Sequence, residues 1–377
     1  MVTSVVDAAA EVAEFVEANA DEADRLRRLP GSTVEALAAR DLMRMCVPQV
    51  YGGPEAPAPD LLRAIMALAA ADGAAGWCSM IASTTSSMSA FLPAEGAREI
   101  YGDPSVVTGG VFAPNGTGTV ATVDGVVGVQ VSGRWAWGSG TQHCEWILGG
   151  AACDDQSFRL CWFPSAAVVF HDTWHTGGMR GSGSLDFSVD EAFAPDHRTM
   201  RPGVSEPVVD CALAHFPNFA LLAASVAAVG LGVARHALDE LIELAAAKTP
   251  QFSRSALADN SFTRIEVARA EGSLRSARAF LLDEVSRAWE AVEAGSSVSL
   301  ERRTAIRLAA VHAATAAADV ADTAYTLAGG SAVYDTSVLG RCLRDAHVVT
   351  QHIQTAPKLL EKIGALIFGR DADTSMF

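Results

Sequence analysis

Apolar residues recur at helical spacing from the first positions of the chain: Val5, Val6, Ala9, Val12 and Val16. Val34, Leu37 and Leu42 repeat the pattern after Gly31-Ser32-Thr33, a helix-start signal. After one loop marked by Pro48, Gly52, Gly53, Pro54, Pro57 and Pro59, residues 61–70 and 77–91 continue it. The pattern then changes. Short β-prone runs at 106–112, 119–122, 125–131, 145–150, 158–163, 168–170 and 185–189 are separated by Gly, Asp and Pro. Such runs, with no helices between them, predict an antiparallel β-sandwich or barrel and disfavour a doubly wound sheet. Long Ala-rich helical patterns follow over 212–244, 261–294 and 300–327, with a further helix from 339 to the Thr355-Ala356-Pro357 break and another after it. The predicted fold is mostly α with a central β domain. Its parts are an N-terminal helical domain (1–105), the β domain (106–205) and a C-terminal four-helix bundle (206–377).

The longest apolar run, 219–234, is interrupted by Gly230 and Gly232 and reads as a buried core helix, not a membrane span. Half of the 377 residues are hydrophobic and 19% are charged, enough for a large core. With 28 Lys and Arg against 44 Asp and Glu, the net charge of −16 disfavours nucleic acid or an anionic membrane as partner. The first fifteen residues carry acidic groups and no basic segment, so no signal peptide is expected and a cytoplasmic location is. Seven scattered Cys without CxxC spacing read as free thiols in a reducing compartment, and no metal site is expected.

Common catalytic signatures are missing: there is no GxSxG, Walker A, HExxH or GxGxxG, so a nicotinamide cofactor has no Rossmann site here. Gly230-Leu231-Gly232 lies in a helical run and reads as helix packing. Several longer segments stand out. They are Asp72-Gly-Ala-Ala-Gly-Trp77, Val131-Ser-Gly-Arg-Trp-Ala-Trp-Gly-Ser-Gly140, Cys144-Glu-Trp-Ile-Leu-Gly-Gly-Ala151, the Gly-rich stretch 172–184, Ala328-Gly-Gly-Ser331 and Arg341-Cys-Leu-Arg-Asp-Ala-His347 through His352. In this order they resemble the acyl-CoA dehydrogenase fold, and its monooxygenase branch in particular: the oxygenase components of two-component flavin-dependent aromatic hydroxylases.

The last helix separates the branches. Common dehydrogenases follow a comparable Arg-Asp-Ala segment with a Glu that removes the substrate α-proton; the matching position here is Ile353, preceded by His352. Ile353 cannot act as a base. By resemblance, His352 lies near flavin and substrate. His347 and His352 are about 140° apart on a helix wheel, so one pocket takes one of them, whereas Asp345, Val349 and His352 share a face. At the helix end the dipole favours the imidazolium and burial opposes it.

The resemblance further implies that Trp135 and Trp137 form an apolar wall against the isoalloxazine, with Ser139 as a hydroxyl donor to it. Arg180 and Ser182 would take a flavin phosphate, a role that competes with a plain tight turn. Gly329 and Gly330 read first as a helix C-cap and, by resemblance, also approach a flavin bound mainly by a neighbouring subunit. The implied chemistry is hydroxylation of an electron-rich aromatic by a C4a-hydroperoxyflavin, using O2 and reduced FAD (FADH2) or reduced FMN (FMNH2). A separate NAD(P)H:flavin reductase would supply the reduced flavin, and the assembly would be a homotetramer. Several phenol hydroxylases of the branch carry a second His where this chain has Thr85, which keeps indoles, fused rings, sulfur heterocycles and amino sugars open as substrates. The chain is short at its C-terminus, so a lid supplied there would be reduced. Two alternatives stand beside this reading: a flavin desaturase acting on an acyl thioester, and a non-catalytic partner protein of the same fold.

Overall fold

The computed structural model describes residues 4–377. Ser4 opens α1 (Val5–Ala18), its hydroxyl accepting the Asp7 N–H at 3.1 Å. Helices α2 (Ala20–Leu26), α3 (Gly31–Ala38), α4 (Ala58–Ala71), α5 (Gly73–Ser86) and α6 (Ala94–Tyr101) complete the N-terminal part. Asp72 separates α4 from α5, and its carboxylate accepts the Ala75 N–H at 3.0 Å. That cap restarts the chain in a new direction and turns the buried helix α5, with Trp77, toward the β region.

The seven strands among the described residues are β1 (Thr108–Val123), β2 (Val126–Gly138), β3 (Trp146–Cys153), β4 (Phe158–Pro164), β5 (Val169–His171), β6 (Leu185–Pro195) and β7 (Thr199–Met200). They form one sheet in the order β5-β6-β2-β1-β3-β4-β7, antiparallel throughout except that β1 and β3 run parallel. The runs expected separately at 106–112 and 119–122 are one strand with a register shift between Val111 and Gly116. The sheet curls on itself. Trp135 of β2 stacks on Phe187 of the adjacent β6 at 5.2 Å, and also meets Phe163 of the distant β4 at 6.3 Å. Three glycines seat its indole: a Cβ at Gly116, Gly133 or Gly149 would lie 2.6, 2.9 or 2.7 Å from the ring.

The C-terminal helices are α7 (Ala212–His215), α8 (Asn218–Ala247), α9 (Ser261–Glu293), α10 (Leu300–Ala328), α11 (Val338–Gln351) and α12 (Leu359–Ile367). Asn260 and Ser299 cap α9 and α10 with side-chain oxygens, as sequence preference dictates. Helix α8 holds the long apolar run; it is long and apolar enough to cross a membrane, and it is packed inside the protein against α4, α10 and α11. Gly232 permits that contact, since a Cβ there would stand 2.5 Å from the Met66 carbonyl oxygen of α4. A Cβ on Gly230 would press the Val349 side chain of α11 at 3.2 Å. Both glycines thus serve close helix approach.

Candidate active site

The end of β2 is irregular. Its pairing with β6 slips between Trp135 and Gly138, and Trp137 adopts a left-handed backbone with φ +63°, unusual for a bulky residue. The bulge separates the two tryptophans expected to act together. Trp135 faces the interior, wholly buried, its indole N–H donating to the carbonyls of Gly150 (2.9 Å) and Ala113 (3.2 Å). Its place is the sheet core, and it lines no wall. Trp137 is 74% exposed.

Ser139 follows and is buried. Its hydroxyl accepts the Trp77 Nε1–H at 3.0 Å and lies 2.6 Å from the Ser184 hydroxyl. Across from Ser139, the Trp77 ring meets the His352 ring nearly edge-on, at 5.6 Å and 74°. Helix α5, the end of β2 and the end of α11 therefore converge on Ser139, Trp77 and His352. Sequence reasoning named two of these three. Trp77 appeared only inside a motif, and the signal available was its place one helical turn beyond the Asp72 cap.

His352 closes α11 as its C-cap, half-buried, with extended backbone (ψ 135°). The Gln354 backbone N–H donates to its Nδ1 at 3.3 Å. In the neutral ring the proton then sits on Nε2, which is left as a donor. Burial, and secondarily the Arg307 charge, push the ring's pKa down to about 4. Arg307 is itself wholly buried and donates to the Gln354 carbonyl at 3.1 Å and to that of Met376. His347 points away and pairs with Asp322 at the surface. Ile353 is half exposed just past the helix.

One and two turns back, Val349 and Asp345 are buried on the shared face that the helix wheel indicated. Asp345 accepts the Met179 backbone N–H at 2.5 Å, which ties α11 to the Gly-rich loop. Burial lifts the Asp345 carboxyl to about 7 and that of Asp72 to about 6, despite nearby Arg341.

That loop is a packed connection. Arg180 is engaged by Asp24 through its carboxylate and carbonyl, both at 3.2 Å, and by the Thr176 carbonyl. Ser182 is buried, donating inward to the Met179 carbonyl at 2.7 Å. Left-handed Met179 and Gly183 turn the chain so that its serines face Ser139 and not solvent. The arrangement matches the tight-turn reading, with the Ser182 hydroxyl turned inward. Gly329 caps α10 with φ +57°; Gly329 and Gly330 are exposed, and a Cβ on either would meet nothing within 4 Å. The structure does not bring them to Ser139 and His352 within the protomer.

Acyl-CoA dehydrogenase profiles match the chain at 4–99 (N-terminal domain) and 224–357 (C-terminal domain). An indole-3-acetate monooxygenase of Pseudomonas putida is 34% identical over 355 residues, 93% of this chain and 90% of the relative. The chain belongs to the flavin-dependent monooxygenases of acyl-CoA dehydrogenase fold. It is the oxygenase component of a two-component system, like the HsaA oxygenase subunit of Rhodococcus jostii, 28% identical over 90% of this chain and 91% of the relative. The crystal structure of 3-HSA hydroxylase from Rhodococcus sp. RHA1 superposes with a TM-score of 0.91 at 26% identity, covering 100% of this chain and 99% of that one. Members of the fold have been solved with FADH2 and with FMN. Distant homologues of this monooxygenase are reduced-flavin-dependent aromatic hydroxylases.

Proposed function

We propose that this monooxygenase hydroxylates an electron-rich aromatic at the junction of α5, β2 and α11. The observation that carries the reading is the convergence of Trp77, Ser139 and His352, with Trp137 presented beside them on a strained bulge. An exposed indole held in a left-handed conformation is costly for its own sake and suits a platform for a flat ring. When bound, the reduced flavin (FADH2 or FMNH2, delivered by a separate NAD(P)H:flavin reductase) supplies the activation of O2. Trp137 would stack against it, and the Ser139 hydroxyl would hydrogen-bond to it. Gly329 and Gly330, free of side chains, would give backbone access to a flavin shared with a second protomer of a homotetramer.

His352 holds the substrate. Neutral and protonated on Nε2, it offers a hydrogen bond and not a base, so an aromatic carrying an oxygen acceptor, a phenolate or a carboxylate, fits it best. Trp77 keeps water from the reacting face. His352→Ala is expected to lower product formation about 100-fold while flavin reoxidation continues as hydrogen peroxide; His352→Gln, which keeps a donor, recovers part of the loss. Product and peroxide assayed together decide the matter, and unchanged hydroxylation in the Ala variant removes His352 from the mechanism.

A desaturase reading finds no support at Ile353, which is half exposed and carries no acid.

A further inference from the structure

The proton on Ser139 can be located by counting. Ser182 has one hydroxyl proton, and the Met179 carbonyl, 2.7 Å away, can only accept it. Ser182 and Ser184 lie 2.7 Å apart, so Ser184 must donate to Ser182. Ser139 and Ser184 lie 2.6 Å apart, and with the Ser184 proton spent, Ser139 must donate to Ser184. Trp77 then donates into Ser139 at 3.0 Å. All three hydroxyls are buried, so no solvent competes. In this state the Ser139 proton points into the protein, away from any ligand.

The far end of the chain shows how that can change. The Met179 carbonyl accepts three donors: the Ser182 hydroxyl, the Ser182 backbone N–H at 3.0 Å and the Trp174 Nε1–H at 3.0 Å. An amide oxygen has two lone pairs, so it loses little by giving up one of three. If the three hydroxyls rotate together, Ser182 donates to Ser184, Ser184 to Ser139, and Ser139 outward. With a ligand lone pair facing Ser139, every buried donor keeps an acceptor in both arrangements, and chains of this kind switch as a unit.

We propose that Ser139, Ser184 and Ser182 form a reversible hydroxyl chain, and that Ser182 and Ser184 are positioning residues that set whether Ser139 accepts or donates. A ligand atom with a lone pair at Ser139 reverses the chain; a ligand offering a proton leaves it as it stands. This rests on the placement of reduced flavin at Ser139 given above. It explains why the Gly-rich loop carries inward-facing serines: they act on the site through Ser139, not on a phosphate.

Two experiments test it. Neutron diffraction from perdeuterated, ligand-free protein should show deuterium ordered from Ser139 toward Ser184, Ser182 and Met179; the opposite order overturns the proposal. Anaerobic titration with reduced flavin reads the second arm. Ser182→Ala leaves Ser139 as the remaining acceptor in the chain for the Ser184 proton, so the outward state is fixed in advance. With a ring carbonyl of the flavin as the acceptor for Ser139, binding should tighten by about threefold to tenfold, the value of one hydrogen bond no longer exchanged. Ser184→Ala frees the Ser139 proton by cutting the chain and should tighten binding likewise. Ser182→Thr restores the hydroxyl and wild-type affinity, and Ser139→Ala weakens binding. A packing role for the loop serines predicts the reverse: weaker binding in Ser182→Ala and Ser184→Ala at unchanged melting temperature, which refutes the chain alone. No effect of Ser139→Ala refutes the placement of the flavin, and the chain's function with it.

Discussion

Two tryptophans, two residues apart, show how much the direction of a side chain decides. Trp135 is locked among three glycines and two phenylalanines with its N–H satisfied. Trp135→Ala should cost about 3–5 kcal/mol, a loss visible in chemical denaturation. Trp137 is exposed and strained, so Trp137→Gly relieves the left-handed backbone while removing the ring. Its melting temperature should hold or rise, while reduced-flavin affinity falls about tenfold or more in anaerobic titration. A destabilised variant with intact flavin binding would exchange the roles given to the two residues. His352 makes a separate prediction. With its pKa near 4, it stays neutral from pH 5.5 to 8, so substrate affinity in that range should show no inflection that His352→Gln removes. Such an inflection near pH 6.5 would mean that the ring is charged in use.

Elements were far more legible in the sequence than directions. Helices α9 to α11 lie within a few residues of the spans expected from apolar periodicity, because each buries a continuous stripe, and α9 and α10 start on side-chain caps; the span expected from 212 is broken at Pro217 into α7 and α8. The sheet was harder. Asn115-Gly116-Thr117-Gly118 has the composition of a turn, yet it runs through as strand β1, since Gly116 is needed as the floor for Trp135. The parallel β1–β3 pair leaves no local trace, because pairing partners distant in sequence are not written in either strand. Of the candidate site, His352 and Ser139 could be read from position and residue type. The inward turn of Ser182 could not, because it depends on left-handed Met179. Where α11 meets the loop and α5, Asp345 and Asp72 supply a pH test. Both carboxyls are raised in the fold, so their protonated forms are favoured there. Their stabilisation is complete below about pH 4, the unfolded value, and is lost as pH rises through about 6 for Asp72 and about 7 for Asp345. Asp345→Asn keeps an acceptor for the Met179 N–H and cannot ionise. By calorimetry it should lose less melting temperature than wild type between pH 5 and pH 8. An equal loss in both would mean that Asp345 is ionised throughout.

At the scale of the molecule, the turn after α10 is an exposed corner. Gly329 and Gly330 are exposed, and the residues just beyond them, Val333 and Tyr334, are 68% and 71% exposed. Large apolar side chains in that state are expensive in water and ordinary at an interface. Lys248 fixes this corner in advance: its ammonium donates to the Ala328 carbonyl and to the Ser331 hydroxyl, so the glycine turn is held whether or not anything covers it. A chain with net charge −16 gains nothing electrostatically by meeting its own copy, so association has to come from apolar area. The proposed homotetramer then makes two linked predictions. Light scattering should give a mass of four chains at micromolar protein. Tyr334→Glu, which adds a charge at the corner and touches neither Ser139 nor His352, should lower that mass and weaken reduced-flavin binding together. If the wild-type protein is a monomer that binds reduced flavin at full strength, the shared site is wrong. If Tyr334→Glu dissociates the assembly and leaves flavin binding intact, the interface is real but the glycine turn is not part of the flavin site.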